Sequence, residues 1–275
     1  MSRIRRLARE LGVICAVILL LAVAAFAAQR LLFPGRAASL DIPQTLDDAL
    51  GPIMKEQIRA TAAVVDDREV SSAFSAIMGR LLPAIPASAV EDRRITVDVL
   101  VINSPEINAF TLPGRVICVD AGLIRELKSA EEMAAVLGHE LSHVVHRDPL
   151  ALLGRQIGMA TLANVVTGGQ GAAVLERIIQ TMVNVHYGRE AEDRADAFSV
   201  HLLARAGIPP VSFSAALARI RDSARKEPGL LKYIDPHSPI DRRIENAREQ
   251  AGKEQVVPRN LPVDWEKIKQ VLSPA

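Results

Sequence analysis

His139 and His143 stand four residues apart with Glu140 directly after the first, in the run His-Glu-Leu-Ser-His. On a helix, residues four apart lie about 40° apart around the axis and one turn apart along it, so both imidazoles can reach one metal ion. Glu140 falls beside them, near the side on which a metal would keep a water. A hydrolytic zinc site needs a third protein ligand as well as that open position. Glu192 and Asp196 are also four apart, on a later stretch that reads as helix, and so share a face. One carboxylate can bind zinc while the other holds a ligand histidine, fixing its tautomer and raising its basicity. The competing reading is a solvated charged helix, because Arg189 with Asp193 and Glu190 with Arg194 have the spacing of ordinary ion pairs. The histidine motif can likewise arise by chance on a structural helix.

The elements that must carry these residues are well punctuated. Ser129 followed by Glu132 predicts a capping box, and apolar residues from Ala130 to Val145 continue to a stop at Asp148-Pro149. Gly207 followed by Pro209-Pro210 closes the helix of Glu192. Residues 94 to 103 alternate, with Ile95, Val97, Val99 and Val101 on one side, and predict a strand; two short strands follow near 108 to 112 and 115 to 120. Upstream, residues 44 to 82 predict two helices, the second capped by Asp66 or Asp67. Residues 149 to 184 are apolar for a connection and read either as a hydrophobic flap that touches a membrane or as packing for the core. A helix is expected there from about 172 to 185. Further helices are expected from Pro209 to about Arg225 and from Pro239 to near Gly252, with Trp265 anchoring a short C-terminal one. The fold class expected is α+β, mainly helical, with a small β-sheet packed beside the histidine helix. A free sheet edge there can bind an extended peptide as an added strand.

The match extends beyond the two motifs. Asn108-Ala109-Phe110, the hairpin Leu112-Pro113-Gly114 into Val116-Ile117-Cys118-Val119, the run Ala121-Gly122-Leu123-Ile124, and Glu192-Asp193-Arg194-Ala195-Asp196 all resemble one family. It is that of the membrane-associated zinc metallopeptidases of the HtpX, BepA, Oma and CAAX prenyl protease type, and the resemblance covers roughly residues 90 to 250. It implies a zincin-like core with one Zn2+ per chain, His139, His143 and Glu192 as ligands, Glu140 as general base and Asp196 behind a ligand histidine. Where the family often has a histidine five residues after the second ligand, this chain has Asp148, expected to alter the cleft edge without touching the zinc set. Asp235-Pro236-His237-Ser238-Pro239 and the following Arg243-Ile244 resemble the family's His-Pro and Arg-Ile elements, with serine in place of a proline. By this likeness His237 lies near the zinc, donating to the oxyanion or filling the fourth position in a resting form; the alternative is that it only positions its loop. His146, a further turn along, reads as cleft-lining or solvated, and His186 and His201 as structural.

Composition bounds the setting. The 275 residues carry a net charge of +1 and only 3% aromatics, which argues against nucleic acid as a partner. Cys15 and Cys118 read as small apolar residues. Arg3, Arg5, Arg6 and Arg9 precede an uncharged run of 18 residues, Leu11 to Ala28, long enough to span a bilayer. The arginines should stay cytoplasmic, so export is expected. The small residues around Ala24 to Ala28 leave signal cleavage open as an alternative to an anchor. The expected organisation is a signal-anchor or signal peptide over 1–32, a catalytic domain over 33–255 and a tail over 256–275. The expected location is the bacterial cell envelope: a single-pass inner-membrane protein with a periplasmic catalytic domain, or a periplasmic protein after cleavage. The function expected is a zinc metalloendopeptidase acting on exported or membrane-associated, misfolded polypeptides. The alternative is a chaperone-like or scaffold binding protein with a latent zinc site. Oligomeric state is left open.

Overall fold

The structure is a computed structural model that describes residues 44–90, 95–168, 172–184, 187–226 and 239–273. The expected anchor over 1–32 and His237 lie outside the described residues. Among those described, no helix is long and apolar enough to cross a membrane.

Helices α1 (Gln44–Thr61) and α2 (Arg68–Leu81) open the fold. Asp67 is the residue that caps α2, accepting from Glu69 N and Val70 N at 2.8 and 3.0 Å. Such a cap is worth about 1 kcal/mol. The apolar residues Val70, Phe74, Ile77, Met78 and Leu81 of α2 are buried.

Three strands follow, β1 (Asp98–Ile102), β2 (Ala109–Leu112) and β3 (Val116–Asp120), in the order β1-β3-β2. β1 runs parallel to β3, and β2 pairs with it as an antiparallel hairpin. The hairpin turns through Gly114 at φ 84° and Arg115 at φ 60°. A Cβ on Gly114 would lie 2.1 Å from Gly51 N of α1, so only glycine fits this crossing. The outer edge of β1 is taken by the chain entering from α1, through Val65 N to Val101 O at 2.8 Å and Asn103 N to Ala63 O at 2.7 Å. Regular pairing of β1 starts at Asp98, four residues later than the alternation predicted.

Both faces of the sheet are covered. Val101, Ile117 and Val119 face one core, which is built on α4 (Ala130–His146). Leu100, Phe110, Val116 and Cys118 face a second core. That second core is closed by α1 and by α5 (Asp148–Gln156), α6 (Met159–Val166) and α7 (Ala172–Val183), which contribute Leu150, Leu153, Leu162, Val165, Ile178 and Met182. Of the residues expected to form either a flap or core packing, Leu150, Leu153, Leu162, Val165, Ile178, Ile179 and Met182 are packed in the core. Their apolar side chains cover a sheet face that would otherwise meet water.

The short α3 (Ala121–Glu126) leads into α4, where Ser129 Oγ accepts from Glu132 N at 3.3 Å. Glu132 reaches back to Lys128 N at 2.8 Å, completing a box displaced by one residue. α4 packs against α8 (Arg189–Ala206), whose end is set by Gly207 at φ 71°. A Cβ on Gly138 would stand 2.9 Å from Ser199 Oγ, and Ser199 Oγ donates to Ala135 O at 2.7 Å. Glycine in α4 therefore sets how near the two motif-bearing helices come. Helices α9 (Val211–Lys226) and α10 (Ile240–Ala251) bury Phe213, Leu217, Ile220 and Ile244 in the same core. The C-terminal α11 (Trp265–Val271) joins them, with Trp265 Nε1 donating to Leu127 O at 3.0 Å and with Leu261, Ile268 and Leu272 buried.

Candidate metal centre

α4 and α8 bring His139, His143 and Glu192 together, buried, with their candidate ligand atoms all within 4.8 Å of one another. The two Nε2 atoms are 3.3 Å apart, and Glu192 places Oε2 at 3.5 Å from one and Oε1 at 3.8 Å from the other. Tetrahedral zinc, with bonds of about 2.0–2.1 Å, holds neighbouring ligand atoms about 3.3–3.4 Å apart. The donor set fits such an ion with adjustments of a few tenths of an ångström. The imidazole planes are nearly perpendicular, at 80°, which lets both lone pairs aim at one point.

Each imidazole is held from behind by a carboxylate. Asp196 Oδ1 lies 2.9 Å from His139 Nδ1, and Arg243 clamps the same carboxylate with bonds of 2.8 and 2.7 Å. Asp148 Oδ2 lies 2.8 Å from His143 Nδ1, and Arg194 Nη2 binds both Asp148 oxygens at 2.8 Å. The expectation that Asp148 leaves the zinc set untouched is corrected by this contact. Arg147 adopts the left-handed conformation at φ 56°, so the chain turns sharply after α4 and the first residue of α5 comes back beside the histidine one turn earlier. Arg194 likewise spends its charge on Asp148, where spacing alone pairs it with Glu190.

The remaining partners were not singled out in the sequence. Thr111 on β2 donates to Glu140 Oε2 at 2.8 Å, fixing the carboxylate beside the ligand histidines. Tyr187, just before α8, stacks on His143 with ring centroids 4.2 Å apart and planes 28° from parallel. Phe213 lies over His139 at 5.9 Å. Only the non-local pairing of β2 with α4, and of the α8 entry with His143, reveals them. His146 turns away, with Nδ1 2.8 Å from Ser142 O and its ring edge-on to Phe198. His201 is exposed and 3.3 Å from Glu254. His186 and His237 lie outside the described residues.

The electrostatics follow from this crowding. Burial raises the carboxyl of Glu140, against the charges of His139 and His143 and the bond from Thr111. Glu192 and Asp196 are also penalised by burial, yet His139 for the first and Arg243 for the second bring them down to about 2. Burial opposes the charged form of His139, but bonds and charges from Asp196 and Glu192 outweigh it and raise its pKa to about 9.

A pH dependence follows. Ligation needs the neutral ring, so below about pH 9 an arriving metal must displace a proton from His139. Apparent metal affinity is expected to fall by about tenfold for each pH unit below that point, with close to one proton released per ion bound. Competition titrations against a chromogenic chelator at pH 7, 8 and 9 read the slope directly; a flat profile contradicts the pairing of His139 described here.

Comparison with known proteins gives a consistent picture. The family model described as peptidase family M48 matches residues 72–251. The beta-barrel assembly-enhancing protease of Yersinia pestis is 27% identical over 239 residues, 78% of this chain and 46% of that protein. The mitochondrial metalloendopeptidase OMA1 of Arabidopsis thaliana is 35% identical over 120 residues, 42% of this chain and 24% of that protein. Metalloprotease YcaL of Escherichia coli strain K12 is 25% identical over 213 residues, 74% of this chain and 81% of that protein. The chain thus spans less than half the length of the first two.

Proposed function

The chain belongs to peptidase family M48, and from that premise we propose that it is a zinc-dependent endopeptidase acting on exported or membrane-associated polypeptides. The observation that carries this reading is the convergence of two Nε2 atoms 3.3 Å apart with Glu192, beside a Glu140 carboxylate that ligates nothing. A purely structural metal site has no use for that fourth group.

In this reading His139, His143 and Glu192 hold the ion, Asp196 and Asp148 orient the imidazoles, and Glu140 is the base. A bound zinc ion would supply Lewis-acid activation of water and polarisation of the scissile carbonyl. Glu140, steadied by Thr111, accepts the proton of the attacking water and passes it to the leaving amine. His237 is assigned a place at the open side, as a donor to the substrate or as a resting ligand.

The sheet supports an extended substrate. Asp120 N donates to Asn108 O at 3.0 Å, and the register pairs Phe110 with Cys118. In an antiparallel ladder this turns the backbone groups of Ala109 and Thr111 away from β3. Among the described residues no strand pairs with β2 on that side. A peptide added there would pass the strand whose Thr111 touches Glu140, binding through its main chain, so unfolded segments are favoured over folded cores.

The setting proposed is the bacterial envelope, with residues 1–32 as anchor or cleaved signal and the catalytic unit over 33–255. It rests on the N-terminal arginines and the apolar run after them. The test is hydrolysis of an unfolded protein by the detergent-purified full chain, read by mass spectrometry. Cleavage should vanish on chelation and return with one equivalent of zinc. Cleavage that survives complete metal removal overturns the reading.

A further inference from the structure

Among the described residues beside the centre, Tyr187 carries a polar atom with no visible task. It is 8% exposed, and its hydroxyl is buried without a hydrogen-bond partner. Leaving a buried hydroxyl unmatched costs about 1–3 kcal/mol. The ring itself has a clear role, stacking at 4.2 Å on His143 and walling that ligand from solvent. A phenylalanine would do the same without the penalty. The hydroxyl is near enough to Glu140, Asp148 and Glu192 to feel their charges, yet it donates to none of them. These carboxylates are already engaged, by Thr111, by His143 with Arg194, and by the metal-facing histidines. A fixed donor among acceptors that it does not use is a donor kept for an acceptor that arrives.

We propose that the Tyr187 hydroxyl is a catalytic hydrogen-bond donor to the oxygen of the scissile peptide carbonyl, steadying it as it becomes an oxyanion. The proposal rests on the peptidase reading above. An ordinary phenol is a neutral donor at the pH of catalysis. It adds no charge to a site already rich in carboxylates, and its orientation is set before substrate binds by the stack on His143. Donors arranged in this way act on the transition state more than on the bound substrate, because negative charge gathers on the oxygen only as the carbonyl is attacked. The stability cost of the unmatched hydroxyl in the free protein is of the kind that active sites carry.

The test compares parent and Tyr187→Phe by three measurements. Steady-state hydrolysis of a fluorogenic peptide should show kcat lowered about 10²-fold with KM within about twofold. Affinity for a phosphinic peptide, whose tetrahedral oxyanion mimics the reacting centre, should fall by a similar factor. Zinc content should be unchanged and the melting temperature no lower than the parent's, since the substitution removes an unmatched polar group. Unchanged kcat and unchanged phosphinic-peptide affinity overturn the proposal. So does a loss of activity that tracks lost zinc or a lowered melting temperature, because Tyr187 is then only a support for His143. If the zinc-loaded parent hydrolyses no peptide, the peptidase reading has failed and the phosphinic-peptide titration decides alone: equal affinity, or none in the parent, removes the role of Tyr187.

Discussion

Glu140→Gln is expected to lower peptide-bond hydrolysis by about 10³-fold, within the range that a general base contributes, while zinc content stays at the parent's level. The amide has the shape of the carboxylate, and its oxygen can still accept from Thr111 Oγ1, which bonds Glu140 Oε2 at 2.8 Å. What it lacks is a basic lone pair to take a proton from water. The three candidate ligands are on other residues, so metal uptake has no reason to change. Burial is the largest influence on Glu140 and disfavours its charged form, so a neutral replacement relieves a penalty. The melting temperature should hold or rise. Loss of turnover without loss of metal or fold is the signature of a group that acts on the reaction alone. Measured single-turnover rates equal to the parent's would remove Glu140 as the base.

What the sequence made legible was whatever depends on near neighbours along the chain. The i,i+4 spacing of His139 and His143 and of Glu192 and Asp196 is enough to place each pair on one face. Ser129, Asp67 and Gly207 mark helix ends by local rules, and all three stand at the ends described. The contacts made across the fold were less visible. Leu100 and Val101 are both buried, because the sheet is covered on its second face by α1 and by α5, α6 and α7, which lie far from β1 along the chain. Alternation alone could not announce that second cover. Thr111 reaches Glu140 only because β2 lies against α4, and no spacing rule connects residues 29 apart. Arg243 sat in a recognised segment, but its clamp on Asp196 depends on how α10 meets α8. Asp148 was hidden for a different reason. An Asp-Pro pair after a helix reads as a stop, and the sign that it doubles back is the left-handed backbone of Arg147, a residue type that does not advertise it.

Asp148→Asn should weaken zinc binding by about 10–100-fold, the range seen when a group behind a ligand histidine is changed. Asp148 Oδ2 lies 2.8 Å from His143 Nδ1, so the carboxylate accepts the Nδ1 proton and leaves the Nε2 lone pair free toward the metal. An asparagine amide, with both a donor and an acceptor, can turn its N–H toward Nδ1 and select the opposite tautomer, which places a proton on Nε2. Any zinc then competes with that proton and with the lost negative charge. Asp196→Asn on the partner histidine would give a less readable result. Asp196 is clamped by Arg243, which is only 3% exposed, and neutralising it leaves a buried guanidinium short of a counter-charge, with a cost to the fold itself. The Asp148 pair is more open, at 16% side-chain exposure for the aspartate and 37% for Arg194, so the arginine can turn to water. The affinity change at Asp148 should therefore appear with little change in melting temperature of the metal-free chain. Arg194→Gln should show a smaller loss, since it leaves the Asp148 carboxylate on His143 and removes only the group that steadies it. Competition titrations in which Asp148→Asn binds zinc as tightly as the parent would show that the tautomer of His143 is set by something other than this carboxylate.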